Sequence, residues 1–325
     1  MAANRDDDGP AKGAGGGVRL VRVDADRAGQ RLDNYLLGQL KGAPRSLVYR
    51  VLRTGQVRVN GRRAKPEQRL EAGDEVRLPP VRLGDPGAAR EAGPPKGQLE
   101  RMAASVLFED DWLLAVDKPS GIAAHGGSGV SFGAIELLRA LRPGQALELV
   151  HRLDRDTSGV LVVAKKRAAL LELQALLRDG HGVAKRYLAL LVGKLAGGGF
   201  TVDLPLERSK LGGERMVRVG DEGKESVSHF RLVERRGGHS FVEVAIETGR
   251  THQIRVHAAH IGHPVAGDDK YGDRDANRRL REKAGLKRLF LHASMIEFAL
   301  DRGRRPYLLN APLPPELAAV LDALA

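Results

Sequence analysis

Apolar residues recur along this chain with two different periods, and the switch between them marks its elements. In QRLDNYLLGQL, Leu32, Leu36 and Leu40 fall at helical spacing. PRSLVYRVLRTG repeats that spacing, with Leu47, Val48, Val51 and Leu52 facing inward and Gly55 as a stop. Arg50 and Arg53, three apart, share a side of the same helix. VRVNGRR then reads as a short strand with an Asn-Gly turn signal, and GDEVRL as another strand. Further on, WLLAVDK, VLVVAKK and YLALLVG are continuous apolar runs of the kind found in buried strands. FVEVAIE alternates instead, which puts Val242, Val244 and Ile246 on one face. Helical patterns return at 167–178 and in the C-terminal PPELAAVLDALA. Strands and helices interleave without a regular βαβα beat, and this predicts an α+β fold.

Two stretches break the pattern. Residues 1–17 are Gly, Ala and charge and read as a disordered tail. Residues 81–104, VRLGDPGAAREAGPPKGQLERMAA, hold a Pro/Gly-rich segment between two patterned regions and read as a linker. The expected division is a small domain at 18–80 and a large one at 105–325, for which 325 residues are ample.

Charge narrows the partner. The chain has 53 Lys and Arg against 41 Asp and Glu, a formal +12, which favours a polyanion: nucleic acid or an anionic membrane surface. Residues 29–80 alone carry eleven Lys and Arg against five Asp and Glu. A cationic helix with Arg45, Arg50 and Arg53 beside a hairpin makes that region a candidate phosphate-contacting module. No apolar run is long enough to span a membrane, and the N-terminus lacks the apolar core of a secretory signal. The absence of cysteine excludes disulfides, iron–sulfur clusters and thiolate zinc sites, and cytoplasmic residence is the expectation.

The densest chemistry lies in HRLDRDTSG, 151–159, where Asp154 and Asp156 stand among Arg152 and Arg155. A divalent metal needs several oxygen ligands, which are missing, and the two arginines oppose a cation. A glycosidase needs carboxyls on opposite sides of one bond, whereas residues two apart in extended chain share a face, so this local pair is a poor candidate for flanking a bond. His252, His257, His260 and His263 are spaced five, three and three, not at the i, i+4 interval of a helical zinc pair. HGGSG, 125–129, matches neither the nucleophile elbow nor a phosphate loop and fits a turn at the rim of a site. Residue chemistry thus leads to a basic, RNA-directed chain with an anionic residue among cations. A carboxylate beside a buried arginine stays ionised, which suits a nucleophile or base better than a proton donor.

HRLDRDTSG followed by an apolar strand resembles the signature of the RluA-type pseudouridine synthases. DDWLLAVDKPSGIAAHGG, with Lys118-Pro119-Ser120-Gly121, is similar to the family's first motif, and Lys185-Arg186-Tyr187 to its basic-x-Tyr motif. GRTHQIRVH, 249–257, resembles the arginine-bearing motif and is followed by GHPVAGDDKYG and LFLHA. The N-terminal module resembles the αL RNA-binding domain named after small-subunit ribosomal protein four. The similarity runs from about residue 20 to the end. It implies a mixed, largely antiparallel-sheet catalytic domain at 105–325 with a small RNA-binding domain at 18–80. LKGAPRSLVYRVLRTGQVRVNG and LVHRLDRDTSGVLVVAKKR are most similar to members acting on 23S ribosomal RNA, so that RNA is the expected partner, with no DNA and no membrane.

By the same resemblance Asp154 is the reacting aspartate, Arg255 the arginine that pairs with it, and Tyr187 the tyrosine beside the target base. Arg152, Arg155 and His125 are expected to contact RNA. The implied reaction breaks the C1′–N1 bond of uridine, turns the uracil and joins C5 to C1′. It has no redox step, so no cofactor and no metal are expected. Attack at C1′, elimination and attack at C6 all remain open.

Overall fold

The computed structural model describes residues 18–40, 45–80, 93–127, 132–180, 182–211, 214–301 and 306–325. The tail read at 1–17, residues 81–92 of the linker reading and the Ser128-Gly129 end of HGGSG lie outside the described residues. The chain divides into two units, 1–93 and 94–325.

The first unit contains β1 (Arg19–Arg22), α1 (Leu32–Gln39), α2 (Arg45–Arg53), β2 (Arg58–Val59), β3 (Arg62–Arg63) and β4 (Glu75–Leu78). The strands form one antiparallel sheet in the order β1-β4-β2-β3. Leu32, Leu36 and Leu40 pack with Val48, Val51 and Leu52 and with Val76 and Leu78 of the sheet, as the spacing predicts. Asn60 and Gly61 both have positive φ, 50° and 74°, the turn whose twist suits a tight hairpin. Asn60 also ties the turn to β4, accepting from the Glu75 N–H at 2.8 Å and donating to Asp74 at 2.7 Å.

The second unit opens with α3 (Lys96–Ala103), β5 (Val106–Glu109), β6 (Leu113–Lys118), α4 (Ala134–Leu141), β7 (Glu148–Leu149), β8 (Ser158–Ala164) and α5 (Arg167–Asp179). Next come β9 (Val183–Leu191), β10 (Gly199–Asp203), β11 (Leu206–Leu211), β12 (Glu214–Val219), β13 (Val227–Arg236) and β14 (His239–Ile246). It closes with α6 (Gln253–His260), α7 (Arg274–Ala284), β15 (Leu291–Phe298), β16 (Tyr307–Asn310) and α8 (Pro315–Ala323). Helix α3 lies within the stretch whose composition reads as a linker. Its Met102 is buried against Leu137 and Leu138 of α4, and that apolar contact outweighs the local Pro/Gly content.

The main sheet runs β10-β13-β14-β9-β15-β8-β6-β5, with β16 paired to β15 and β7 to β8. Among the described residues, every pairing in it is antiparallel except β8 with β15. In β8 alternate residues enter separate cores: Val160 and Val162 on one face, Leu161 and Val163 on the other. Burial on both faces explains why this strand reads as an unbroken apolar run. In β14, Val242, Val244 and Ile246 share one core with Ile254 and Ala258 of α6.

One register row crosses five strands at the parallel junction. Val244 faces Tyr187, Tyr187 faces Ala293, Ala293 faces Gly159, and Gly159 faces Lys118. Gly159 has φ +112°, and a Cβ there would meet the Ala293 carbonyl oxygen at 2.1 Å. The glycine of HRLDRDTSG therefore allows β8 to approach β15 closely. Among the described residues, no helix is long and apolar enough to cross a membrane.

Candidate active site

The turn that enters β8 is held from beneath by Lys118-Pro119-Ser120-Gly121. Lys118 ends β6 with its side chain fully buried and donates from Nζ to the carbonyls of Pro119 (3.1 Å), Ile122 (2.7 Å) and Arg155 (3.2 Å). The Gly121 N–H reaches the same Arg155 carbonyl at 2.9 Å, and the Ser120 hydroxyl donates to the Asp156 carbonyl at 2.8 Å. Burial pushes the Lys118 amine down to about 7, against the charges of Asp154 and Asp156. On the other side of the turn, His151 Nε2 accepts the Val162 N–H at 3.1 Å, and burial pushes that ring down to about 4. Ser158 links to His292 Nδ1 at 2.9 Å and accepts from the Arg288 guanidinium at 3.1 Å. These contacts fix the backbone on both flanks of Asp154.

Asp154 keeps its side chain 24% exposed, and Arg255 donates to its Oδ2 from Nη1 at 3.3 Å. Arg255 stands on α6, whose first turn is set by Gln253. The Gln253 amide accepts from the Thr248 hydroxyl (2.7 Å) and Arg250 N–H (3.0 Å) and donates to the Val227 carbonyl (2.9 Å). The closer partner of Arg255 is Asp268, with Nε to Oδ2 at 2.7 Å and Nη2 to Oδ1 at 2.8 Å. Asp268 also accepts the backbone N–H groups of Lys270 and Tyr271 at 2.8 and 3.0 Å. Burial opposes both charges. The hydrogen bonds and mutual attraction win, so the Arg255 pKa is raised and the Asp268 pKa is lowered. The guanidinium carbon lies 5.1 Å from the centre of the Tyr271 ring, a cation–π distance.

His252 is the N-cap of α6 and lies in the left-handed region, φ 56°, an uncommon conformation for a non-glycine residue. Its Nδ1 is 2.8 Å from the Tyr271 hydroxyl, whose oxygen accepts the Val217 N–H at 3.0 Å. The other ring nitrogen, Nε2, is turned toward Asp154. That nitrogen lies 3.8 Å from Asp154 Oδ2, and burial lowers the ring's pKa and favours the neutral form. Asp154 thus faces the Arg255 guanidinium at hydrogen-bond distance and the His252 ring just beyond it.

Next to this pair is a recess of about 70 Å³ with Tyr187, Leu153, Ile246 and Leu291 as its less polar walls. Burial pushes the Tyr187 phenol well above its usual range, with Asp154 adding to the shift. Asp154, His252 and Arg255 also line a cleft of about 670 Å³. His125, Arg152 and Arg155 lie along that cleft, both arginines exposed, with Arg155 3.0 Å from Asp156. Arg50 and Arg53 are exposed on α2 of the first unit, and the Arg45 side chain lies outside the described residues. The four histidines do not converge. His257 bridges the Ser228 hydroxyl and the Leu204 carbonyl, His263 reaches the Val192 carbonyl, and His260 is exposed.

Asp268, Tyr271 and His252 have no role in the sequence reading, although all three lie in quoted motifs. Nothing in GDDKYG marks one acid as the clamp of an arginine thirteen residues upstream.

Residues 112–260 match the RNA pseudouridylate synthase family, and residues 30–76 match the S4 domain. The chain is 51% identical over 313 residues to ribosomal large subunit pseudouridine synthase C of Escherichia coli K12, covering 94% of this chain and 97% of that protein. The protein of the same name from Haemophilus influenzae is 49% identical, with 94% and 95% covered. Among solved structures, human RNA pseudouridylate synthase domain containing 1 aligns with a TM-score of 0.56 at 28% identity, covering 66% of this chain and 86% of that one. Human RNA pseudouridylate synthase domain containing 4 has the same fold, with a TM-score of 0.57 at 24% identity and 70% and 95% covered. The chain belongs to the RluA-type family of RNA pseudouridine synthases, enzymes that isomerise uridine within RNA.

Proposed function

We propose that this enzyme converts uridines of 23S, large-subunit ribosomal RNA to pseudouridine in the cytoplasm, with Asp154 as the reacting group. The observation that carries the reading is the Asp154–Arg255 pair beside a small recess walled by Tyr187, within a cleft edged by Arg152 and Arg155. The large-subunit target rests on the name shared by relatives that match nearly end to end.

A uridine reaches such a recess only when flipped out of its stack, at a cost of a few kcal/mol that new stacking offsets. Tyr187, still a protonated phenol, presents its ring to the uracil, and Leu153, Ile246 and Leu291 exclude water around it. Asp154 acts on the extruded nucleotide by attack at C1′, by attack at C6 or by taking a proton in an elimination, and needs no cofactor for any of them. Arg255 steadies the carboxylate charge and fixes the direction of Oδ2. Arg152, Arg155 and His125 hold the flanking RNA, and Arg45, Arg50 and Arg53 serve the small RNA-binding unit.

The test is pseudouridine mapping of 23S RNA by carbodiimide modification and primer extension in a deletion strain. Wild type should restore specific stops and Asp154→Ala should not. Restoration by Asp154→Ala would remove the aspartate from the chemistry, and stops confined to transfer RNA would reassign the target.

A further inference from the structure

Helix α7 carries an arginine row that the active-site reading leaves unused. Arg274, Asn277 and Arg281 are three and four residues apart, so they stack along one side of the helix. The direction of that side is set by Asn277. Its Oδ1 accepts the Gly267 N–H at 2.7 Å, and its Nδ2 donates to the Asp268 carbonyl at 3.0 Å. Gly267 and Asp268 are wall residues of the large cleft. Arg274 and Arg281, both exposed, therefore flank a residue of α7 that bolts the helix to the cleft wall. The segments entering and leaving α7 carry Lys270 and Lys287, which line the same cleft. Arg279 and Lys283, four apart, stand on the opposite side of the helix.

The geometry points to the Arg274–Arg281 side of α7 as a track for RNA backbone phosphates leaving the cleft, extending the grip on the substrate beyond the flipped nucleotide. The inference rests on RNA being the substrate. Exposed guanidiniums spaced along one row, on a helix whose flanking segments carry cleft lysines, complement a chain of phosphates and offer nothing that reads a base edge. The row therefore supplies affinity without sequence preference, and each contact adds to the salt dependence of binding.

Two double variants remove the same charge from opposite sides of the helix. Arg274→Gln with Arg281→Gln should weaken binding of a 23S RNA fragment by about tenfold and reduce the log–log salt slope by about 1.4, two phosphates at ~0.7 each. Turnover at saturating RNA should stay within twofold. Arg279→Gln with Lys283→Gln should bind within twofold of wild type. Equal losses in both pairs would mean only a general field, and no loss in the first pair would leave no track; either result overturns the inference. Pseudouridine formation by the wild-type enzyme is read separately, so failure of the proposed reaction is distinguishable from failure of the track.

Discussion

Asp268 grips Arg255 at two points, 2.7 and 2.8 Å, and leaves only Nη1 to reach Asp154 at 3.3 Å. The arginine is thus anchored by one carboxylate and offered to the other. Asp268→Asn keeps the shape and removes the charge, so Arg255 would lose its anchor. Single-turnover rates should fall about 10- to 100-fold with little change in KM, and stability should drop by about 3 kcal/mol, as when one partner of a buried pair is lost. Asp268→Glu, which keeps the charge, should recover part of the rate. A folded Asp268→Asn enzyme with wild-type turnover would remove Asp268 from the positioning of Arg255.

Asp154→Asn should abolish product while RNA binding stays within a few-fold of wild type. Arg255→Lys tests the fork. An ammonium cannot address Asp268 at two points and Asp154 at a third, so turnover should fall at least about 100-fold although the charge is kept. Wild-type turnover in the lysine variant would show that charge alone suffices.

Gly159→Ala should damage the fold before the chemistry. A Cβ would meet the Ala293 carbonyl oxygen at 2.1 Å, and φ +112° is strained for any L side chain. Overpacking and backbone strain together should cost about 3 kcal/mol, read as a shift in the denaturant midpoint. An unshifted midpoint would mean that β8 and β15 part without penalty.

His292 makes stability depend on pH. It is fully buried, with Nδ1 at the Ser158 hydroxyl and Nε2 at the Ala311 carbonyl, partners that suit the neutral ring. Burial pushes its pKa from the usual 6.5 down to about 4. Between those values the unfolded chain binds more protons than the native one. Stability is therefore full above 6.5 and is lost as pH falls toward 4, by about 3 kcal/mol in total. His151, also pushed to about 4, contributes in the same window. Denaturant midpoints from pH 4 to 7 should show the slope, and His292→Gln should remove about half of it. An unaltered slope in that variant would assign the effect elsewhere.

The legible parts of the fold were those where one face meets one core, as with Val242, Val244 and Ile246. Helix α6 was hidden because Gln253, Arg255 and His257 are buried although polar, each satisfied by a partner distant in sequence. A hydropathy pattern cannot register such partners. Helix α3 was masked by its Pro/Gly-rich surroundings, and only the contact with α4 accounts for it. At the site, the motif resemblance singled out Asp154, Arg255 and Tyr187, and the structure brings them around one recess. The clamp by Asp268 and the contact of Tyr271 with His252 are properties of three-dimensional neighbourhood, with no linear trace.

The parallel junction of β8 and β15 has a consequence in time. Ser158 and His292, paired across it, are 134 positions apart in the chain. The closure of so long a loop costs entropy before its contacts give any return. During synthesis, the turn bearing Asp154 emerges well before β15, and until that strand docks Tyr187 and Gly159 lack the neighbour that sets them side by side. Completion of the site thereby waits for a strand made long after the turn that bears Asp154, and a nascent chain that has yet to reach β15 displays its small N-terminal unit without a complete site.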